Sequence, residues 1–433
     1  MLEYNHMKIK HVIKKLVPKK LLNLRHLFWA WYGAFKYKYP SKELMVIGIT
    51  GTSGKSSVIH FLRQVLEHAG YKVGSLSTVD FYVGGEEKLN DQKMTMLGKM
   101  KIQKYLREMV DKKCDIAIVE TTSEGRLQYR HACINYDMMV LTNLYPEHID
   151  SHGSFEHYKQ AKLDIFKHVS KSKIKNNGKI AIVNGDSEYA DEFLQLHFDQ
   201  KIKFDTKDKD IRVTKEGLHF ETHGYRFNAP LFGIHNVENL LAVITIARSV
   251  DISWQDIQNA IKKIKSAPGR IEFISETKEF GFQAIVDYAF EPKAMSALYE
   301  VVDLLKPDRI IHVFGSTGGG RDRQRRFDLG KMIGEKANIC IVTDEDPYDD
   351  DPMEIINDVV GAVEKTGKVL EKDLFKVLDR KEAIIRAVKM AEEGDLVLVT
   401  GKGSEQGMCV ADGKMIEWDD RRIVRDALQG IKK

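Results

Sequence analysis

Short apolar runs alternate with amphipathic stretches from residue 44 to about residue 186. The apolar runs predict buried strands at LMVIGIT (44–50), KVGSLST (72–78), CDIAIVET (114–121), DMMVLTNL (137–144) and GKIAIVNGD (178–186). Between them, apolar residues recur with the helical period, as in SSVIHFLRQVLEHAG (56–70) and KIQKYLREMVDKK (101–113). Strands that alternate with helices in this way predict a mostly parallel sheet with helices on both faces.

The pattern changes between residues 202 and 232, where short alternating segments predict a small antiparallel sheet. A helix is expected again at NVENLLAVITIARSV (236–250), and the Pro-Gly break in SAPGR (266–270) predicts a hinge. Beyond the hinge, a second set of strands is predicted at FQAIVDYA (282–289), DRIIHVFGS (308–316), ANICIVTDE (337–345) and DLVLVTGKG (395–403).

These changes divide the chain into three parts. A chain of 433 residues is too long for one hydrophobic core. We predict a basic and aromatic N-terminal segment at residues 1–42, a central α/β domain at 43–266 and a C-terminal, Rossmann-like α/β domain at 267–433. The sequence therefore predicts the α/β fold class, with a phosphate-loop type of central domain.

The N-terminal segment has an unusual charge. Residues 1–42 carry ten Lys or Arg and one acid, Glu3, and LLNLRHLFWAWYGAF (21–35) is aromatic but is interrupted by Arg25 and His26. The aromatic run is shorter than the roughly 20 residues needed to span a bilayer. Two interpretations fit. Residues 1–40 contact an anionic membrane surface, or a helix packs on the next domain and its lysines are simply solvated.

The overall composition narrows the class of protein. Charged residues make up 30% and hydrophobic residues 43% of the chain, as in ordinary soluble globular proteins. A net charge of +4 and the lack of a recognised reader motif argue against nucleic-acid binding. The four cysteines form no C-x-x-C pair, which disfavours a zinc ribbon. Scattered cysteines favour a reducing compartment, so we expect the protein in the cytoplasm or at the inner face of the membrane.

The stretch VIGITGTSGKSS (46–57) has the order of a phosphate-binding loop, in which a strand, glycines and Gly-Lys-Ser open a helix. Backbone N–H groups and the positive end of the helix can converge on phosphate there. Lys55 would reach the β- and γ-phosphates, and the Ser56 hydroxyl would bind Mg²⁺. The strict pattern requires Gly where Ile49 stands, so this loop is a variant. A glycine turn with an incidental Gly-Lys-Ser is the simpler alternative.

Acids and a histidine follow two other predicted strands. Glu120 ends DIAIVE, and the run TNLYPEHID places Asn143, Glu147, His148 and Asp150 after the next strand. The carboxyl ends of parallel strands form the ligand-binding edge of an open α/β sheet. Taken singly, these residues are explained as an exposed acid, helix caps or a structural histidine. Together they predict a Mg²⁺ site with oxygen ligands and one imidazole.

Eight segments occur in an order and at a spacing that resemble one family. They are GTSGKSS, ETTSEG, TNLYPEHIDSHGSFEHYKQAK, GIHNVEN, APGRIE, VDYA, FGSTGGGRDRQRR and GKGSE. The chain resembles the Mur ligase superfamily of ATP-dependent amide synthetases in peptidoglycan assembly, and within it the MurE branch, from residue 44 to 428. The family's loop is typically GTNGKTT. Here Ser53 replaces Asn, and Ser56 and Ser57 keep the two hydroxyls.

The resemblance implies an ATP-dependent ligase that adds an amino acid to a muramyl-peptide precursor through an acyl phosphate. The implied cofactors are ATP and Mg²⁺, with two metal sites. The implied catalytic residues are Lys55, Glu120, His148 and Lys162, and the implied metal site comprises Ser56, Glu120, His148 and Lys162. Lys162 matches a lysine that is often carbamylated by CO₂ in this family, which converts a cation into a carboxylate-like metal ligand.

The resemblance also implies contacts to the nucleotide and the substrates. The implied nucleotide-binding residues are Gly51, Thr52, Ser53, Gly54, Lys55, Ser56, Ser57, Asn143, His235, Asn236, Asn239, Arg270 and Asp287. The implied contacts to the muramyl peptide or the incoming amino acid are Thr122, Ser123, Arg130, Arg321, Asp346 and Glu405. Arg270 and Asp287 would complete the nucleotide site only on domain closure, which would exclude water from the acyl phosphate.

Three departures from the family pattern change these expectations. Residues 1–42 stand in place of the family's UDP-binding domain, so the nature of the carrier stays open. The signature DNPR, which reads meso-diaminopimelate, is EDPY (345–348) here, and loss of the arginine removes a bidentate partner for a distal carboxylate. Diaminopimelate is therefore disfavoured, and lysine or another amine is at least as well supported. Phe290 and Ser404 replace two histidines, so one phosphate or catalytic contact is lost or replaced.

Other functions fit parts of this pattern. Another ligase of the superfamily, of the folylpolyglutamate or cyanophycin type, is the nearest alternative, and the ETTSEG and GGGRDRQRR segments favour the MurE branch over the folate branch. The ligase of an amidating complex carries a four-cysteine zinc insert, which the scattered cysteines do not supply. A non-catalytic ATP-binding homologue is suggested by Phe290 and Ser404. It is disfavoured because Lys55, Glu120, His148 and Lys162 are all present.

Overall fold

The computed structural model describes residues 19–90, 94–146, 152–175, 178–207, 209–320 and 322–431. Contacts divide these residues into two compact units. Unit 1 contains the described residues of 1–88, 94–208 and 238–260, and unit 2 contains those of 89–93, 209–237 and 261–433. The domain boundaries expected from the sequence, at residues 43 and 267, stay a prediction.

Unit 1 contains an eight-stranded sheet. Its strands are β1 (Met45–Thr50), β2 (Val73–Leu76), β3 (Asp80–Val83), β4 (Glu86–Leu89), β5 (Ile116–Glu120), β6 (Met138–Leu141), β7 (Ile180–Asn184) and β8 (Gln200–Phe204). The order across the sheet is β4-β3-β2-β5-β1-β6-β7-β8. Strand β1 pairs in parallel with β5 on one side and β6 on the other, while β3 runs antiparallel to β2. The carboxyl ends of β1, β5 and β6 therefore lie together at one edge.

Eight helices are described between residues 19 and 261, and most of them lie between strands of this sheet. They are α1 (Lys19–Lys36), α2 (Lys55–His68), α3 (Lys99–Asp111), α4 (Ser123–Leu127), α5 (Phe155–Ser170), α6 (Ala190–Leu194), α7 (His235–Ser249) and α8 (Trp254–Ile261), with a 3₁₀ turn at Pro40–Lys42. Strands β5, β6 and β7 are buried at every position, as parallel strands covered on both faces are. Within the described residues, no helix combines the length and the apolar character needed to cross a bilayer.

The predicted order of strands and helices in unit 1 is confirmed, with one strand assigned to the wrong sheet. The segment from residue 202 was expected in a small antiparallel sheet, but Gln200–Phe204 forms β8 and pairs in parallel with β7. Its residues are mostly exposed, as expected of an edge strand, so its apolar pattern was too weak to identify its partner. The antiparallel sheet itself is present in unit 2 as β9 (Arg212–Thr214), β10 (Gly217–Thr222) and β11 (Tyr225–Ala229).

The rest of unit 2 is a second α/β fold. Its strands are β12 (Glu272–Phe273), β13 (Gln283–Asp287), β14 (Ile310–Phe314), β15 (Ile339–Val342), β16 (Leu374–Lys376) and β17 (Leu396–Thr400), with a hairpin of β18 (Gly407–Val410) and β19 (Lys414–Glu417). Its helices are α9 (Pro292–Leu305), α10 (Gln324–Lys336), α11 (Pro352–Glu364), α12 (Arg380–Met390) and α13 (Asp420–Ile431), with a 3₁₀ segment at Ser275–Phe280.

The larger sheet of unit 2 has the order β12-β13-β17-β14-β15-β16, and its strands are parallel apart from β12. Alternate residues of β13 enter different cores, because Ile285 packs in one buried cluster while Ala284 and Val286 pack in another. The first cluster includes residues of α9, α10 and α11, and the second includes residues of α12 and α13. The sheet is therefore covered by helices on both faces, which confirms the predicted fold class.

Candidate functional site

The loop between β1 and α2 has the backbone shape of a phosphate cradle. Gly54 precedes α2 with a φ of 77°, a conformation that glycine adopts at little cost. A Cβ at residue 51 would lie 1.9 Å from Oγ1 of Thr142, and one at residue 54 would lie 2.3 Å from Oδ1 of Asn239. Both positions therefore require glycine. The backbone N–H groups at the start of α2 and the positive end of the helix suit an anion.

Asn143, which follows β6, anchors this loop. Its Oδ1 accepts hydrogen bonds from the backbone N–H groups of Thr52 at 3.1 Å and Ser53 at 2.8 Å, and its Nδ2 donates to Oγ of Ser53 at 3.1 Å. Thr142 adds a hydrogen bond from Oγ1 to the Ser53 carbonyl oxygen at 2.7 Å. The resemblance implied a nucleotide contact for Asn143. In this structure its side chain positions the loop that would bind the phosphates.

Ser56 and Glu120 form the predicted hydroxyl–carboxylate pair. Oγ of Ser56 donates to Oε2 of Glu120 at 3.0 Å, and the same oxygen accepts from the N–H and Oγ1 of Thr78 at 2.7 and 3.0 Å. Glu120 is only 1% exposed. A hydroxyl and a carboxylate beside a phosphate loop are oxygen ligands of the kind that Mg²⁺ prefers, usually with several waters.

Two lysines converge on the loop from different helices. Nζ of Lys55 donates to the carbonyl oxygens of Gly51 at 3.1 Å and Thr52 at 2.9 Å. Nζ of Lys162 donates to the same Gly51 oxygen at 2.8 Å and lies over the ring of Tyr158, 4.5 Å from its centroid. Lys162 is 1% exposed, which is rare for a lysine. Two ammonium groups therefore lie beside the cradle, where they can neutralise phosphate charge.

The residues present fit a magnesium nucleotide. The cradle leaves no room for side chains at residues 51 and 54, and Ser56, Glu120 and Lys55 supply the hydroxyl, carboxylate and ammonium that such a ligand requires. His148, the implied imidazole ligand, lies outside the described residues, as do Glu147 and Asp150. Among the described residues, no three His, Cys, Asp or Glu side chains gather as a metal cluster.

The implied substrate residues of unit 1 lie at the start of α4 and just beyond it. Thr122 caps α4 by accepting a hydrogen bond from the Gly125 N–H at 3.0 Å, and Oγ of Ser123 lies 3.1 Å from Nε2 of His152. Arg130 donates to the Met96 carbonyl oxygen, and burial lowers the pKa of its guanidinium. A partly desolvated guanidinium binds carboxylates strongly, which suits a peptide carboxylate.

In unit 2, Arg270 and Asp287 are close to each other. The guanidinium of Arg270 lies over the ring of Tyr288, 4.3 Å from its centroid. The carboxylate of Asp287 accepts from the N–H groups of Ile271 at 2.6 Å and Ala289 at 2.7 Å. Burial raises the pKa of Asp287, and Arg270 opposes that shift. Asp287 therefore fixes the segment that carries Arg270 to the end of β13.

The other implied nucleotide residues lie on or near α7. Nδ2 of Asn236 donates to the Phe232 carbonyl oxygen at 2.7 Å, so this amide secures the turn before the helix. Burial, with a smaller effect of Arg270, lowers the pKa of His235 and favours the neutral imidazole. Asn239 is 4% exposed and touches Gly54 of the phosphate loop in unit 1.

A charged cluster in unit 2 contains two of the implied amino-acid contacts. Nζ of the fully buried Lys402 donates to Oδ1 of Asp346 at 2.9 Å and to Oε2 of Glu405. Oε1 of Glu405 also accepts from the Tyr288 hydroxyl at 3.1 Å. Nearby, burial raises the pKa of Glu345 to about 7, against the opposing charges of Arg380 and Lys402. Arg321, a further implied contact, lies outside the described residues.

Two of the departures from the family pattern also lie in this unit. Phe290 packs edge-on to Tyr288, with ring centroids 5.0 Å apart, and the guanidinium of Arg325 lies 5.3 Å from its ring centroid. The Tyr348 ring lies against Gly319, where an added Cβ would approach Cδ2 of Tyr348 to 2.8 Å. An aromatic ring therefore occupies these two positions, where the family pattern has a histidine and an arginine.

Three residues of the site were not identified by the sequence analysis. Thr78, Tyr158 and His152 all contact implied site residues: Thr78 holds Glu120, Tyr158 donates to Oγ1 of Thr52 at 3.2 Å, and His152 pairs with Ser123. Thr78 ends a predicted strand, and His152 lies two residues beyond the run TNLYPEHID that carried the metal prediction. The strand-end rule applied to Glu120 would therefore have found Thr78.

Comparisons with known proteins agree with this arrangement. Residues 49–247 match the family model described as Mur ligase middle domain, and residues 269–403 match Mur ligase, glutamate ligase domain. A UDP-N-acetylmuramoyl-L-alanyl-D-glutamate–2,6-diaminopimelate ligase of Clostridium botulinum is 31% identical over 91% of this chain and 80% of its own. A UDP-N-acetylmuramyl-tripeptide synthetase of Borreliella burgdorferi is 33% identical over 92% of this chain and 79% of its own.

Solved structures show the same fold. A UDP-N-acetylmuramoyl-L-alanyl-D-glutamate–2,6-diaminopimelate ligase superposes with a TM-score of 0.61 at 25% identity, covering 90% of this chain and 79% of that one. Escherichia coli FolC in complex with DHPP and ADP superposes with a TM-score of 0.63 at 18% identity, covering 94% and 93% of the two chains. At that identity the second likeness bears on the fold alone.

Proposed function

The chain belongs to the Mur ligase family, and we propose that it catalyses the ATP-dependent addition of an amino acid to a muramyl-peptide precursor of peptidoglycan. The observation that carries this proposal is the convergence of the glycine cradle, Lys55 and the Ser56–Glu120 pair at one edge of the unit 1 sheet. The relatives named as muramyl-peptide ligases support the same acceptor.

The proposed reaction forms one amide bond at the expense of one ATP. A substrate carboxylate takes the γ-phosphoryl group and ADP leaves. The amine nitrogen then bonds to the acyl carbon, phosphate leaves and the nitrogen loses a proton. When bound, ATP supplies the phosphoryl group and Mg²⁺ neutralises phosphate charge. Lys55 and the loop N–H groups hold the phosphates, which stabilises charge without a nucleophilic side chain.

We propose that Ser56 and Glu120 hold one Mg²⁺ and that Lys162, after carbamylation, contributes to a second. The Gly51 bond supports this role, because a carbamate nitrogen keeps one N–H and can still donate to that oxygen. His148 remains part of the proposed metal site. Thr122, Ser123 and Arg130 are proposed to bind the muramyl peptide, and Arg321 the incoming amino acid.

For the incoming amino acid, we propose one whose side chain ends in an amine and carries no distal carboxylate. Tyr348 offers no charge to a carboxylate, whereas Asp346 and Glu405 outnumber their shared partner Lys402. Glu405 already bonds to Lys402 and Tyr288, so the amine would join an existing ion pair. Lysine fits this description, and diaminopimelate does not.

The proposed location is the cytoplasm, where ATP and nucleotide-linked precursors are available. The reducing compartment expected from the sequence is consistent with the four free cysteines at positions 114, 133, 340 and 409.

The test is phosphate release from ATP and Mg²⁺ in the presence of UDP-MurNAc-dipeptide and single amino acids. We expect release that depends on lysine or a similar amine, and a tripeptide product by mass spectrometry. Release with diaminopimelate but not lysine would contradict the proposed side-chain class while leaving the ligase intact. ATP binding without release for every amino acid and acceptor would contradict the ligase itself.

A further inference from the structure

The N-terminal helix α1 has an inverted distribution of side chains. A surface helix ordinarily turns its large apolar residues toward the core. In α1 the buried residues are small, with Ala30 and Ala34 at 1% and 0% exposure, and Gly33 also buried. Gly33 faces α3, where a Cβ would lie 3.1 Å from Sδ of Met100. The helix therefore packs on the body of unit 1 through its smallest residues.

The large apolar residues of α1 are exposed instead. A stripe at helical spacing, called here the outer stripe, consists of Leu24, Phe28, Trp31 and Phe35, which are 67%, 53%, 49% and 58% exposed. Trp29 and Tyr32 flank it at 46% and 37%. The rings of Trp31 and Phe35 stack at 5.6 Å, as do those of Phe28 and Tyr32 at 6.1 Å. A continuous apolar patch of this kind on a protein surface marks a site that contacts another protein, a membrane or a ligand.

The charged side chains of α1 itself have one sign. No acid occurs between Glu3 and Glu43, while ten Lys or Arg lie in residues 1–42. Arg25 and Lys36 are exposed on α1 itself, and Lys101 and Lys104 are exposed on α3, the helix that supports it. A second copy of this chain would bring equal positive charge against this face, so self-association is opposed electrostatically.

We infer that the outer stripe of α1 lies in the interface of an anionic phospholipid leaflet, with unit 1 held against the membrane. Trp and Tyr are favoured at the level of the lipid headgroups, since their rings are apolar and their N–H and O–H groups are polar. Basic residues beside such a helix attract anionic headgroups. The helix lies on the membrane rather than crossing it. This inference does not depend on the ligase reaction.

The test is co-sedimentation of the full chain with vesicles of phosphatidylcholine, with and without phosphatidylglycerol. We expect binding only to vesicles that contain phosphatidylglycerol, weakened by added salt. Replacing both Trp31 and Phe35 by Ser should weaken that binding at least about tenfold. Arg25→Glu should weaken it about fivefold or more, because a cation near the surface becomes an anion.

The matched control replaces Met415 and Ile416 by Ser, since these residues of the β18–β19 hairpin are 45% and 44% exposed. It should bind vesicles as the unmodified chain does, and circular dichroism should match for every variant. The inference is overturned if the unmodified chain stays in the supernatant, or if the control loses as much binding. It is also overturned if the Trp31 and Phe35 substitutions only convert a dimer to a monomer without changing vesicle binding.

Discussion

Lys55 and Lys162 donate hydrogen bonds to the same acceptor, the carbonyl oxygen of Gly51, although they lie on helices α2 and α5. The two groups differ in their surroundings. Lys55 is partly exposed, whereas Lys162 is buried and covered by the Tyr158 ring. The partly exposed side chain of Lys55 can therefore move with a bound phosphate. The buried side chain of Lys162 is held in one position, where chemical modification would change the charge of the site.

Lys162→Ala should abolish turnover, and the compound that restores it identifies the form of the native side chain. If Lys162 acts as a carbamate, short carboxylates such as acetate or propionate should restore part of the phosphate release, whereas methylammonium should not. The opposite order of rescue would show that Lys162 acts as a cation. The unmodified enzyme should also lose activity in CO₂-free buffer and regain it with bicarbonate.

Lys55→Met should lower kcat by about 100-fold or more, since it removes a positive charge from the phosphates where charge develops. The melting temperature should change little, because Lys55 is partly exposed and its Nζ donates to the carbonyl oxygens of Gly51 and Thr52 in its own loop. Phosphate release and thermal unfolding measure the two effects separately. Lys104→Met, an exposed lysine of α3, is the control and should be unchanged. Full activity of Lys55→Met would refute the proposed role of the loop.

Glu120→Gln should raise the Mg²⁺ concentration needed for half-maximal activity by about 10- to 100-fold. Gln keeps the shape and one oxygen acceptor for Ser56 and Thr78, but it lacks the negative charge that favours a divalent cation. A Mg²⁺ titration of phosphate release measures the shift. Glu364→Gln, an exposed acid at the end of α11, should show none. An unchanged requirement for Mg²⁺ in Glu120→Gln would remove this residue from the metal site.

Tyr348→Arg should extend the range of amino acids toward diaminopimelate. An arginine at this position would present its guanidinium as a bidentate partner for a distal carboxylate. The ratio of kcat/KM for diaminopimelate to that for lysine should rise at least about tenfold, since a charge-assisted hydrogen bond contributes about 1.5–3 kcal/mol. Tyr348→Phe is the control and should leave the ratio unchanged. An equal ratio in both variants would mean that another residue selects the side chain.

The stability of the protein should fall as the pH drops below about 6.5. Burial lowers the pKa of His131 to about 2 and that of His312 to about 3, so both stay neutral in the folded state while the unfolded state takes up protons. Each contributes a slope of up to about 1.4 kcal/mol per pH unit. Urea unfolding at several pH values measures the slope, and His312→Gln should reduce it. An unchanged slope in this variant would contradict the assignment.

Glu345 makes the stability depend on pH in the direction opposite to that of the two histidines. Its raised pKa, about 7, means that its stabilising effect is complete below about 4.5 and is lost as the pH rises through 7. The two histidines outnumber it, so a net loss in acid is expected. Glu345→Gln should steepen that loss between pH 4.5 and 7.

The sequence was sufficient for the parts of the structure that depend on local pattern. Apolar runs located the central strands, and the loop motif and strand-end rule located Lys55, Ser56, Glu120 and Asn143. The pairing of β8 with β7 was missed, because pattern alone does not state which strand is a neighbour. The burial of Lys162 was missed for a similar reason, since its partner Gly51 is distant in sequence.

The anchor of the phosphate loop has a consequence for protein synthesis. Thr52 and Asn143 are 91 positions apart, so a ribosome adding roughly 5–20 residues per second takes about 5 to 20 s to supply the anchor after the loop has been made. Asn239, which touches Gly54, is made later still. A nascent chain that ends before Asn143 therefore contains the sequence of the phosphate loop but lacks the hydrogen bonds that hold its conformation. Nucleotide binding is therefore acquired only when unit 1 is nearly complete.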